Sequence, residues 1–411
     1  MMNRVLIFIF AFVLNSCGQL NIQEADCDCV TEPLQVTEKE AEKCEAYPEQ
    51  KVAEKDIVPY SFLQKVEWTE INPMLDQDYL SLSWTAWLRG CQALMNKESW
   101  QDVCSKATVM VSPSDDEIKE YFYNYFDLYQ ALQKDGSSEG LVTGYYQPVL
   151  RGSRVKTKKF KVPLYTTPND LITVDLSEVY PDLKYMRLRG KVEGDKLIPY
   201  LTREEIAKQG YPLQGNELLW VQDPVEAFFL EIQGSGVIEF EDGERIQVGY
   251  ANQNGHPYRS MGRALIQEGE LSRHKVSMQS IKRWAKKNPK KLQKFLNANP
   301  SVVFFRELEP GLPGPIGALG IPITAERSVA VDRKYVPLGA PVFLSTTWPN
   351  SNKALNQLMM AQDTGGAIGG GVRIDFYWGQ GEKAGRFAGS MKQQGKVWVL
   401  LPKTFKLKKG D

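Results

Sequence analysis

From residue 58 onward the chain switches between two kinds of hydrophobic spacing. "LDQDYLSLSWTAWLRGCQALMN" sets Leu75, Tyr79, Trp84, Trp87, Leu88, Cys91 and Leu94 at mostly helical intervals, which predicts a helix with one apolar face. A second helix is predicted to begin at Ser114. Ser114 and Glu117 have the spacing of a capping box ahead of "IKEYFYNYFDLYQAL", and Gly136 supplies an end. Past Gly136 the texture changes. "GLVTGYYQPVLRGSR", "KVPLYTTP", "ELLWVQDPVEAFFLEIQGSGVIEF" and "ERIQVGYANQNG" alternate β-formers with Gly, Pro and Asn turns and read as strands. Helical spacing returns in "YRSMGRALIQEG", "MQSIKRWAKKN" and "PKKLQKFLNAN", broken at Pro289 and Pro300. Strands resume from Val302 to the end, most clearly in "RSVAVDRKYVPLGAPVFLS" and "GKVWVLLP". The order suggests one discontinuous domain, residues 58–139 plus 256–408, interrupted by an inserted β domain over 140–255. The fold class expected is mainly β with α-helical additions.

Ahead of this body the pattern is different. Arg4 precedes an apolar run, Val5–Leu14, far short of the ~20 residues a spanning helix needs, and it reads as a signal-peptide core. Leu14-Asn15-Ser16-Cys17-Gly18 resembles a bacterial lipobox, cut before Cys17, whose thiol then carries lipid. An ordinary secretory signal with a chance cysteine is the alternative. Gly18 rather than Asp after the cysteine resembles the outer-membrane sorting pattern, so the expected location is the outer membrane, facing the periplasm. Residues 18–57 are crowded with Glu and Lys and read as a tether of roughly 35 Å. Export permits disulfides. Cys91 and Cys104 bracket a loop that a bridge would stabilise by roughly 3 kcal/mol. Cys27, Cys29 and Cys44 lie in the polar tail, without the four-ligand spacing of a zinc site.

Composition narrows the chemistry. Fifty basic residues balance fifty acidic ones, so the basic excess of a nucleic-acid binder is missing. Only two histidines exist, His256 and His274, which disfavours Ser-His-Asp catalysis and most zinc hydrolase sites. Ser235 in "QGSGV" lacks the nucleophile-elbow pattern, and no stretch forms a P-loop or a complete dinucleotide fingerprint. No metal or cofactor is expected.

Carboxylate chemistry survives. "AQDTGGAIGGGVRIDFYWGQG", residues 361–381, holds Asp363 and Asp375 around a glycine loop. A general acid must hold its proton at working pH, which costs an unperturbed aspartate about 4 kcal/mol at pH 7. Burial among apolar groups lowers that cost. If "VRIDFYWG" is a strand, Arg373, Asp375 and Tyr377 share one face, and Ile374, Phe376 and Trp378 the other. Asp375 could then enter a cleft while its neighbours anchor a core. By pattern alone, a solvated aspartate on an outer face is the stronger reading.

"AVDRKYVPLG" with Asp332, "AQDTGGAIGGG" with Asp363 and "VRIDFYWG" with Asp375 resemble the domain named for its three aspartates. "TGYYQP", "FFLEIQGSG", "PYLTREEI" and "NGHPYRSMGRAL" are similar to the membrane-bound lytic murein transglycosylase A family, over roughly residues 140–405. The resemblance implies a double-psi β-barrel interrupted by a smaller inserted β-barrel domain, with a groove between them. It implies cleavage of the β-1,4 bond between N-acetylmuramic acid and N-acetylglucosamine in peptidoglycan glycan strands, leaving 1,6-anhydro ends. Asp375 would be acid and then base, Asp363 would orient the site or bind sugar, and Asp332 would hold barrel structure. Thr143, Gly144, Tyr145, Gln233, Gly234 and Ser235 match motifs that would line the groove. The family often has Lys where this chain has Gly369. Two alternatives stay open: an inverting hydrolase with Asp363 as the second carboxylate, and a glycan-binding lipoprotein without turnover.

Overall fold

The computed structural model describes residues 60–208 and 212–407. The signal segment with Cys17, and the tether with Cys27, Cys29 and Cys44, lie outside the described residues. Strand β1 (Leu63–Val66) is followed by helices α1 (Asn72–Leu75), α2 (Ser81–Leu94), α3 (Glu98–Thr108) and α4 (Asp115–Tyr125). Helix α2 buries Trp84, Trp87, Cys91 and Leu94 along one face. A disulfide joins Cys91 to Cys104 on α3, with Cα atoms 5.1 Å apart. Helix α4 starts on the capping box: Ser114 Oγ accepts from the Glu117 N–H, and the Glu117 carboxylate accepts from the Ser114 N–H at 2.8 Å. It does not run to Gly136. Phe126–Ala131 is strand β2, which pairs with β1 and with the last strand of the chain and buries Phe126 and Leu128 on one face. Two pairing partners outweigh the helical spacing of those side chains.

Strands β3 (Gly140–Gln147), β4 (Val149–Ser153), β5 (Val162–Tyr165), β6 (Ile172–Thr173), β7 (Arg189–Glu193) and β8 (Lys196–Pro199) follow, then α5 (Arg203–Lys208) and β9 (Glu217–Val221). The next segment, read from sequence as strand, is helix α6 (Pro224–Gln233). Asp223 caps it, accepting from Val225 N–H at 2.7 Å, and Gly234 ends it at a φ of 76° that suits glycine. The periodicity is hidden because α6 lies between two cores. Ala227 and Leu230 pack into one, and Val225, Phe228 and Phe229 into the other, leaving little polar face. Then come β10 (Ser235–Glu239), β11 (Arg245–Gln253), α7 (Met261–Gln267), α8 (Met278–Lys287), α9 (Pro289–Asn297) and β12 (Val303–Glu307). The last part holds β13 (Ser328–Ala330), β14 (Pro341–Thr347), β15 (Ala354–Asp363), β16 (Ile374–Gln380), the unexpected helix α10 (Gly381–Ser390) and β17 (Lys392–Pro402).

The main sheet has the order β1-β2-β17-β14-β15-β13-β16-β3. Strand β3 also pairs with β17, so β17, β14, β15, β13, β16 and β3 form a closed ring. A six-stranded sheet, β12-β11-β10-β4-β9-β5, and a three-stranded one, β6-β7-β8, lie apart from it. Sheet membership differs from the expected division at 140 and 255. Strand β3 belongs to the ring, and β12 belongs to the six-stranded sheet, antiparallel to β11. Pro148, with no N–H to donate, separates β3 from β4 where the chain changes sheets. Helices α2–α4 share one buried core with the ring. A nearly dry ion pair, Arg327 to Asp78 at 2.9 Å, ties them together, and Asp78 also accepts from Leu358 N–H.

Candidate active site

The site starts from one strand pair. Strands β16 and β3 run parallel, with Asp375 opposite Thr143, Phe376 opposite Gly144 and Tyr377 opposite Tyr145. The pleat separates the faces. Ile374, Phe376 and Trp378 enter the main core, while Tyr145, Tyr377, Ile323 and Ala330 form a small cluster on the other side. Asp375 and Thr143 are on that second side. Close approach of the two strands needs Gly144, where a Cβ would lie 2.6 Å from Trp378 Nε1.

Thr143 Oγ1 donates to Asp375 Oδ1 at 2.6 Å. Arg373 Nη1 donates to the same Thr143 oxygen at 2.9 Å and to the carbonyls of Ile374 and Leu141. A guanidinium only donates, so Thr143 must accept there and direct its single hydrogen to Asp375. Burial pushes Asp375 up to about 6, against the Thr143 hydrogen bond and the Arg373 charge; the charge of Asp363 adds to the rise. A carboxyl in that range exchanges its proton near neutrality, as a general acid and base requires.

Asp363 ends β15. Its Oδ1 accepts from the N–H groups of Ala318 and Thr364 at 3.0 and 2.8 Å, and its Oδ2 accepts from the Tyr145 hydroxyl at 2.9 Å. Burial raises its pKa, and those hydrogen bonds and the Arg187 charge oppose the rise. Asp332 stands behind the glycine loop, accepting from Lys334 and Gly370 N–H groups, each at 3.0 Å. Gly370 has a φ of 116°, and a Cβ on Gly371 would lie 1.9 Å from the Leu132 carbonyl oxygen, so no other residue fits either place without distortion. A Cβ on Gly369 would meet only Asp332 Oδ2, at 3.9 Å.

The remaining site candidates are further back. Gln233, the last residue of α6, accepts from Tyr146 N–H at 2.9 Å and so braces β3. Gly234 is the turn after α6, and Ser235 is buried at the start of β10. The structure thus brings Asp375, Thr143, Tyr145 and Asp363 together, with Gly144 and Gln233 shaping the strand that carries two of them. Sequence reasoning placed Arg373 only on the strand face of Asp375 and overlooked its hold on Thr143. It missed Ala318 entirely, since a backbone N–H leaves no trace in residue type. It also missed Arg187, on the segment between β6 and β7. Among the described residues, no group of three or more His, Cys, Asp or Glu side chains is placed to hold a metal, and no helix is long and apolar enough to cross a membrane.

Residues 141–306 match the family model of the MltA specific insert domain, and residues 327–401 match that of the 3D domain. The chain is therefore a 3D-domain protein that carries this insert. Over 287 residues it is 32% identical to membrane-bound lytic murein transglycosylase A of Vibrio cholerae, covering 67% of this chain and 69% of the relative. Its structure is similar to crystalline MltA from Neisseria gonorrhoeae, with a TM-score of 0.73, 39% identity and coverage of 85% of this chain and 94% of that one. It is also similar to Escherichia coli MltA with bound chitohexaose, with a TM-score of 0.59, 25% identity and coverage of 78% and 89%. The chain belongs to the membrane-bound lytic murein transglycosylase A family.

Proposed function

We propose that this protein is a peptidoglycan lytic transglycosylase, cutting the β-1,4 bond between N-acetylmuramic acid and N-acetylglucosamine without water. One observation carries the mechanism: the Asp375 carboxyl, raised to about 6, has one oxygen taken by Thr143. Because Thr143 donates to Oδ1, the proton of neutral Asp375 resides on Oδ2. That proton passes to the glycosidic oxygen as its bond to the anomeric carbon breaks, and N-acetylglucosamine leaves as the alcohol. The resulting carboxylate then takes the proton of the muramic C6 hydroxyl as that oxygen bonds to the anomeric carbon. The proton count closes with Asp375 protonated again and no water consumed. Tethering gives the C6 hydroxyl a high effective concentration, so a second carboxylate to activate water is unnecessary.

Asp363, held by three donors, supports this role as a fixed acceptor that positions Tyr145 beside Tyr377. Thr143 and Tyr145 face the glycan in this reading, and Gly144, Gln233, Gly234 and Ser235 shape the groove from behind. The bound chitohexaose named for the Escherichia coli relative supports an oligosaccharide ligand. The six-stranded ring is read as a double-psi β-barrel, formed by chain on both sides of the inserted domain. Lipid on Cys17 would anchor the chain to the outer membrane on its periplasmic side. The test is mass spectrometry of digested sacculi. Wild type should release 1,6-anhydro ends and Asp375→Asn none; reducing ends from wild type would refute the proposal.

A further inference from the structure

A cavity of about 740 Å³ opens between the six-stranded sheet and helices α6, α8 and α9. Its apolar lining includes Leu150, Val221, Val225, Ala285 and Leu292. Arg151, Lys161, Lys282 and Lys286 supply cationic groups to it. Two acidic residues also line it, and both are engaged: Asp223 caps α6, and Glu226 pairs with Lys282 at 2.7 Å. Arg151 has a long contact to Glu239, at 3.6 Å, whereas Lys161 and Lys286 are exposed and make no ion pair among the described residues. Two basic stretches converge here. "VKTKKFKV" contributes Lys161, and "MQSIKRWAKKNPKKLQKFLN", residues 278–297, has no acidic residue and contributes Lys282 and Lys286.

We propose that this cavity binds the carboxylate-bearing stem peptide of the peptidoglycan whose glycan occupies the Asp375 site; this rests on the reading of the chain as a peptidoglycan enzyme. Stem peptides present free carboxylates and alanine methyls, which complement cations around an apolar floor. A concave apolar lining fits an extended peptide better than the flat face of a bilayer. Helix α6 links the two places, with its first turn at the cavity and Gln233 at its end hydrogen-bonded to β3. Holding a peptide of the same sacculus raises the local concentration of glycan at the site.

The test uses the full chain as Asp375→Asn, so that the substrate survives, with soluble glycan strands bearing tetrapeptide stems and the same strands after stem removal. Lys161→Glu with Lys286→Glu should weaken binding of stem-bearing strands about tenfold, more at low salt, and leave stripped strands unaffected. Lys161→Gln with Lys286→Gln should give a smaller loss, with unchanged thermal unfolding. Equal affinity for stem-bearing strands, equal loss on both strands, or a loss confined to phosphatidylglycerol vesicles would each overturn the proposal. Anhydro ends from stripped strands with wild type check the catalytic reading separately.

Discussion

At the residue scale, the same burial that prepares Asp375 for catalysis opposes folding. Its folded pKa lies above the unfolded value, so between about pH 4 and 6 the native state binds more protons and loses stability as pH rises. The loss is on the order of 3 kcal/mol, complete above the folded value and absent below about pH 4. Asp375→Asn is therefore expected to be inactive yet more stable than wild type at pH 7, with the difference vanishing at pH 3; parallel urea melts check this. For activity, kcat/KM should fall tenfold per pH unit above about 6, as neutral Asp375 is lost. Thr143→Val removes a hydrogen bond that holds the pKa down. The alkaline limb should move to higher pH and kcat/KM should drop about tenfold, while Thr143→Ser stays near wild type. A purely structural Thr143 would leave the pH profile in place.

At the scale of elements, the site depends on how β3 is held from both sides. Gly144→Ala would push a methyl against Trp378 and is expected to cost about 1–3 kcal/mol in chemical denaturation. Gln233→Ala leaves the Tyr146 N–H without its acceptor, at about 1–3 kcal/mol, and should lower activity by loosening β3 while Asp375 itself is intact. Helix α6 is itself anchored to α5 and β12: Glu231 accepts from both Arg203 Nη groups, at 2.8 and 2.7 Å, and from the Val303 N–H. These elements were unequally legible. The capping box at Ser114 is local chemistry and marks the start of α4. The end of α4 is decided by β1 and β17, distant in sequence. The Asp223-Pro224 start and Gly234 end of α6 were readable, but a helix packed between two cores shows no polar stripe.

At the scale of the whole molecule, closure of the ring brings residues 140–147 beside 374–380, across an intervening stretch that contributes two more sheets. The Cys91–Cys104 disulfide, with a separation of 13, is expected to contribute about 3 kcal/mol. Reduction, or Cys91→Ser with Cys104→Ser, should lower the unfolding midpoint and spare turnover at moderate temperature, since the bridge joins α2 to α3 and touches neither β3 nor β16. Net charge misleads at this scale. An overall balance of zero conceals a basic stretch on α8 and α9, because summed charge carries no position.

Family membership and the aspartate motifs were open to the sequence, since linked motifs in a fixed order are a property of the chain itself. So was the alternation that splits Asp375 from Phe376, because the pleat has a period of two whatever lies around it. Which of those two faces is a chemical site was beyond it. The rise in the Asp375 pKa comes from burial on a strand that lies between β13 and β3. The direction of the Thr143 hydrogen follows from a guanidinium that approaches only once β16 and β3 pair. Burial and hydrogen-bond direction are properties of neighbours in space, and only the folded ring determines which residues those neighbours are.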